Sequence, residues 1–147
     1  MVLHRVHQQI LRSHHLFEPL SEEQMEELMS NSQLLNVDKG APLFRQGEPT
    51  TSFYFVISGS VKVYRLAADG QEKVFDVISA RQTVAEAKLL TDSANYSACA
   101  EALEPTQLYR LPSNVYLRLL QSNNRLALAL LGRLSGPAVH ADDIGAC

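Results

Sequence analysis

The chain has 147 residues, 13 lysines and arginines against 16 aspartates and glutamates, a net charge of −3 and a pI of about 5.9. That is the size of one domain, which buries roughly 68–70% of its unfolded surface and folds without disulfides or a metal. The acidic balance disfavours phosphate-backbone contacts by this chain, no run of about 18 apolar residues is present to span a bilayer, and Cys99 and Cys147 have no disulfide or metal spacing.

A reduced, cytoplasmic protein is the simpler account of the cysteines. The opening Met1-Val2-Leu3-His4-Arg5-Val6-His7 lacks the apolar stretch of a secretion signal. Leu3, Val6, Ile10, His14 and Phe17 recur at steps of three and four, which predicts one face of an amphipathic helix ended by Pro19. His14 lies on that apolar face, and His15, about 100° round the helix, turns towards Arg12 and Glu18. Ser21 opens a second helix, with Gln24 completing a capping box and Leu20 with Met25 a hydrophobic staple. Glu22, Glu23 and Glu26 sit near its positive end as a solvated face, while Met25, Leu28 and Met29 turn inward.

From Leu34 to Leu111 the pattern becomes short strands. Asp38 to Tyr64 organises the whole: Gly40 and Gly47 bracket a short strand over 42–46, and the runs Phe53–Ile57 and Val61–Tyr64 flank Ser58-Gly59-Ser60 as a hairpin. Asp69-Gly70 signals a two-residue hairpin between Val61–Leu66 and Lys73–Ile78. Strands at this spacing predict a sandwich or jelly roll. Thr83 to Thr91 breaks the rhythm with one or two helical turns over Val84–Leu90. Strands return over Tyr96–Glu101 and Gln107–Leu111, with Pro105 at the turn between them.

Pro112-Ser113 starts a helix through Tyr116, Leu117, Leu119 and Leu120, Asn123-Asn124 interrupts it, and Arg125–Ser135 continues. Leu126 to Leu131 is apolar around the whole circumference, so that helix is covered on more than one side. Gly136-Pro137 stops it, and 138–147 has no helical period. The expected organisation is N-terminal helices over 1–33, a β core over 34–111, C-terminal helices over 112–135 and an irregular tail over 136–147.

Gly40, Phe44, Gly47-Glu48, Phe53 to Gly59 and Val61 to Tyr64 together resemble the cyclic-nucleotide-binding jelly roll of the CRP/FNR superfamily of bacterial transcription regulators, from about Leu16 to Leu134. The words Arg5 to Gln9, Ser13 to Leu20 and Leu126 to Leu131 look closest to the DNR-type branch. That resemblance implies a mainly β double-stranded jelly roll followed by the start of a dimerisation helix. It also implies haem-dependent sensing of nitric oxide to control denitrification genes, homodimers through the last helix, and DNA contact through a helix-turn-helix domain that this chain lacks. On that reading the chain is a truncated sensor domain with an altered tail.

Cyclic-nucleotide binders of the family place Gly-Glu before a short helix and then Arg followed by a small hydroxyl residue. The matching words here are Ala85-Glu86 and Tyr96-Ser97, so the glutamate is kept and the guanidinium that grips the phosphate is replaced by a phenol. Iron–sulfur sensing needs about four thiolates and is excluded for two distant cysteines. Haem b fits the resemblance, with Val84, Leu89, Leu90, Leu126 and Leu130 as an apolar slot and His14 or His15 as the iron ligand, and no metal beyond the haem iron. The strand region has no histidine, which removes the ligand set of a metal-dependent jelly-roll enzyme, and no P-loop, GxGxxG or Ser-His-Asp arrangement is present. A cyclic-nucleotide or other small-molecule module and an effector-free dimerisation scaffold stay open as alternatives, and the haem reading fails if Arg81 or Arg125 occupies the vacant anion seat.

Overall fold

The computed structural model describes residues 2–85 and 95–128, with side chains from Arg5 onward. Helix α1 is Val2–Arg12 and α2 is Glu22–Ser30. Among the described residues eight strands follow: β1 Gln33–Val37, β2 Pro42–Phe44, β3 Ser52–Ser58, β4 Val61–Leu66, β5 Glu72–Ile78, β6 Thr83–Val84, β7 Cys99–Ala102 and β8 Thr106–Pro112. Helix α3, Ser113–Gln121, comes after them, and residues 124–128 are again helical. The strands form two antiparallel four-stranded sheets, ordered β1-β8-β3-β6 and β2-β7-β4-β5, which face each other as a jelly roll.

β3 is the wall between two cores. Successive side chains on a strand point to opposite faces, and here both faces are apolar. Phe53 and Phe55 meet the helices, packing with Leu11, Leu16, Phe17, Met25, Tyr116 and Leu126. Tyr54 and Val56 point between the sheets, against Phe44, Val61, Val84, Tyr96 and Leu108. In the helix-side core Phe17 sits edge-on to Phe55 at 5.6 Å, and the Tyr116 hydroxyl donates to the Leu16 carbonyl at 2.8 Å.

The second helix is built as its sequence indicates. The Ser21 hydroxyl accepts from the Gln24 N–H and the Gln24 side chain accepts from the Ser21 N–H, both at 3.1 Å, while Met25, Leu28 and Met29 are buried. The first helix departs from expectation. It ends at Arg12, and 13–19 is a series of turns in which Phe17 and Glu18 both donate to the His14 carbonyl. Its buried face carries His7 and Leu11, and Val6 is 48% exposed. The cause is polar: His7 Nδ1 pairs with the Tyr109 hydroxyl at 2.8 Å, so the helix docks on β8 through a residue that hydrophobic periodicity ranks as outward.

Two turns also differ. Phe53–Ile57 and Val61–Tyr64 are not a hairpin, because β3 and β4 lie in different sheets. Gly59, at φ +96, carries the chain across with its backbone against Pro105 and Thr106. The Asp69-Gly70 link is longer than two residues: β4 ends at Leu66, Ala67 N–H donates to the Gln71 carbonyl and Gly70 N–H to the Ala67 carbonyl. Asp69 serves this turn by accepting from Gln71 N–H rather than by forming the two-residue turn.

Candidate functional site

Of the cassette-equivalent residues, Ala85 follows the short strand β6, and Tyr96 belongs to the core between the sheets. β6 pairs with β3, Val84 opposite Tyr54 and Thr83 opposite Phe55. Ala85 follows with φ +69, a left-handed backbone that favours glycine, so the glycine-like turn survives with a methyl group added, at a strain of about 1–2 kcal/mol. Glu86, Leu89, Leu90 and Leu130 lie outside the described residues.

Tyr96 points between the sheets and is 5% exposed. Its ring stacks on Phe44 at 3.8 Å between centroids, and Phe44 stacks on Tyr54 at 5.8 Å. Its hydroxyl donates to the Ser52 carbonyl at 2.7 Å and accepts from the Ser52 N–H at 3.3 Å. Both ends of the side chain are therefore committed to the protein itself. Neighbouring Ser97 is reached through its carbonyl, which accepts from Arg65 Nε at 2.8 Å. Arg65 also lies over the Phe75 ring.

Tyr54 stands in the rung Gln33–Arg110–Tyr54–Val84 across the first sheet, in which Tyr54 and Val84 are buried and Gln33 and Arg110 exposed. Burial pushes its phenol well above the usual range and Tyr96 adds to the rise, while the Arg110 guanidinium beside it pulls the other way. Arg110 also donates to Gln33 Oε1. Neither Arg81 nor Arg125 fills an anion seat: Arg81 is exposed in the turn before β6, and Arg125 turns to Glu18 at 3.4 Å.

His14 and His15 stand at the outer face of the first sheet. Their rings stack at 4.1 Å, not 100° apart on a helix, because the chain has already left α1. His14 packs against Phe17 at 5.6 Å and edge-on to Phe55 at 5.8 Å. Its Nδ1 accepts from the Leu16 N–H at 3.1 Å. Of the expected slot, Val84 belongs to the core between the sheets and Leu126 to the core under the helices, so these two do not line one cavity. Phe44, Ser52, Tyr54 and Arg65 were not singled out from sequence. Their part is set by contacts across the fold, and only Phe44 and Tyr54 lay within a recognised motif.

Among the described residues no three His, Cys, Asp or Glu side chains are grouped to hold a metal ion, and no helix is long and apolar enough to cross a membrane. Residues 34–123 match the family model for the cyclic nucleotide-binding domain. The crystal structure of the sensor domain of the transcriptional regulator DNR from Pseudomonas aeruginosa is 54% identical, covers 97% of this chain and 95% of that one, and superposes with a TM-score of 0.90. A crystal structure of DNR from the same organism is 57% identical over 89% of this chain and 58% of its own, with a TM-score of 0.83. The cyclic AMP receptor protein of Thermus thermophilus is 33% identical over 106 residues, 72% of this chain and 49% of that protein. The chain thus spans about half the length of the curated relatives it matches. These regulators are not enzymes. The fold, the 34–123 match and the near-complete overlap with a solved sensor domain show that the chain belongs to the cyclic nucleotide-binding domain family, as a sensor domain of the CRP/FNR type.

Proposed function

We propose that the chain senses nitric oxide through haem b, as the effector-binding part of a cytoplasmic, homodimeric regulator of denitrification genes whose DNA contacts lie beyond these residues. The observation that carries the reading is Tyr96. Where a cyclic phosphate needs a guanidinium, this chain has a phenol whose hydroxyl is held by Ser52 and whose ring is held by Phe44. The likeness to the DNR sensor domain supports the same direction.

The residues present fit an iron ligand at one of the two histidines. A backbone N–H occupies the Nδ1 lone pair of His14, so its neutral ring keeps the proton on Nε2 and offers iron nothing unless the Leu16 bond breaks. His15 would then hold the iron, with the His14 ring stacked on it at 4.1 Å. Phe17 and Phe55, both fully buried, pack against His14. Haem, when bound, supplies the iron at which nitric oxide is captured. The helix over 124–128 offers a second apolar side for a partner copy: Leu126 is fully buried while Leu128 is 68% exposed. Effector binding transmits a signal only by favouring one helix arrangement over the other.

Optical titration with haemin tests the assignment. Wild type and His14→Ala are expected to give a Soret band that shifts with nitric oxide, and His15→Ala is expected to give none. A band retained in His15→Ala rejects the ligand. A second reading, cyclic-nucleotide binding, is favoured by Arg65 bordering Ser97 and by the named activity of the Thermus thermophilus relative. A thermal shift with cyclic AMP and none with haemin selects it; a shift with neither selects an effector-free scaffold.

A further inference from the structure

The β4–β5 ribbon, residues 61–78, carries the bases Lys62, Arg65 and Lys73 and the acids Asp69, Glu72 and Asp76, and they do not all find each other. Lys62 takes Glu72 and lies 3.8 Å from Glu101 Oε2 on β7. Asp69 Oδ1 accepts from the Gln71 N–H, and Asp76 Oδ1 accepts from the Val77 N–H. Arg65 and Lys73 remain, and the strand register sets them directly opposite each other. Opposed residues of an antiparallel pair share a face, about 4.5–5.5 Å apart at Cβ, where like charges are destabilising. Among the described residues neither cation has an ion pair.

Arg65 is also held in place. Its Nε donates to the Ser97 carbonyl at 2.8 Å, and its guanidinium lies over the Phe75 ring, 5.6 Å from the centroid. Phe75 is the residue skipped where the β4–β5 register shifts. Arg65 continues the face of Val61 and Val63 past the end of the core between the sheets and is half-buried, while Lys73 is exposed. The bond to Ser97 uses one of five guanidinium N–H donors, so both terminal nitrogens are without a partner among the described residues.

We propose that Arg65 and Lys73 form a binding site for a phosphate monoester. Two unit positive charges match the near-dianion that such a group carries at neutral pH. A carboxylate or a cyclic phosphodiester brings one negative charge and leaves one cation uncompensated. The pinned guanidinium offers a planar fork to two phosphate oxygens, and the flexible Lys73 ammonium brings a point charge to a third. The site belongs to the second sheet and uses no residue of the His14–His15 turn, so it is independent of the haem assignment.

Titration of the whole chain at pH 7.5 and constant ionic strength tests the proposal. Inorganic phosphate and adenosine 5′-monophosphate are the doubly charged probes, and cyclic AMP and acetate the singly charged controls. The Arg65 Nε–H resonance is expected to shift saturably with both doubly charged probes and to stay in place with the controls. Arg65→Gln and Lys73→Gln are each expected to weaken phosphate binding at least tenfold, roughly the worth of one charged hydrogen bond. Lys73→Glu gives Arg65 an acid of its own; its Tm at low salt is expected to rise without any ligand, and its response to phosphate to vanish. No saturable shift at Arg65 in wild type overturns the proposal before any variant is needed. A response to cyclic AMP equal to or greater than that to the monophosphate overturns it in favour of the nucleotide reading above, and phosphate binding retained in Lys73→Glu overturns the role of the opposed pair.

Discussion

Gly59→Ala probes the crossing between the sheets. A Cβ at that position would lie 2.4 Å from Thr106 Oγ1, 2.8 Å from the Pro105 carbonyl oxygen and 2.8 Å from Thr106 Cα, on a backbone held at φ +96. The left-handed conformation alone costs about 1–2 kcal/mol for a residue with a Cβ. Two of the three overlaps are with backbone, so rotating a side chain does not relieve them. The Pro105–Thr106 turn has to move, which loosens the Ser60–Thr106 hydrogen bonds, 3.2 Å in each direction, worth about 0.5–1.5 kcal/mol apiece. The sum is about 2–5 kcal/mol, or a fall in Tm of about 10 °C for a chain of this size. Gly70→Ala is the matched control: φ is +87 but nothing lies within 4 Å, so only the backbone strain applies, about 1–2 kcal/mol and about 3–5 °C. Thermal and urea unfolding followed by circular dichroism measure both, with m expected to stay constant. Equal losses in the two variants would refute the claim that close approach to Thr106 reserves position 59 for glycine.

Two further outcomes follow from the polar contacts. Gln24 serves two helix starts: it closes the Ser21 capping box, and its Oε1 also accepts from Asn123 Nδ2 at 2.7 Å, while Asn123 Oδ1 accepts from Leu126 N–H at 2.9 Å. Gln24→Ala should therefore lose about 1–2 kcal/mol, more than the ~1 kcal/mol of Ser21→Ala, in urea unfolding; the reverse order would show that the link to Asn123 adds nothing. The Tyr64 phenol is raised from 10.0 to about 12, first by burial and then by its hydrogen bond to Glu101 at 2.9 Å. A raised phenol favours folding while protonated, so its contribution is complete below the unfolded value of 10.0 and is lost as pH climbs towards about 12. Phenolate absorbance and alkaline unfolding should both show this, and Tyr64→Phe should flatten that part of the stability curve; an unaltered curve in the variant would assign the dependence to other groups.

Local chemistry was the legible part of this fold. Ser21 and Gln24 announce a helix start because capping needs only residues three apart, and Phe53 to Val56 announces a buried strand because an unbroken apolar run has no wet face. The partner of that strand was not legible. Ser58-Gly59-Ser60 has hairpin composition, but pairing is decided by β8, far along the chain, and glycine was required for a close approach rather than a tight reversal. Helix α1 was misread for a related reason: apolar periodicity cannot see that His7 finds Tyr109. At the site, the replacement of a cation by Tyr96 was visible in the residue order. Its grip on Ser52 was not, because the two are brought together only when the sheets close.

The strand with two apolar faces has a consequence for synthesis. Phe53 to Val56 leave the ribosome well before Thr106 to Pro112, the residues that complete the wall beside them. Until then the nascent chain carries an adhesive ribbon with neither side covered. Folding is consequently late and depends on distant pairing, and chaperone demand should concentrate in the interval between the emergence of those two segments.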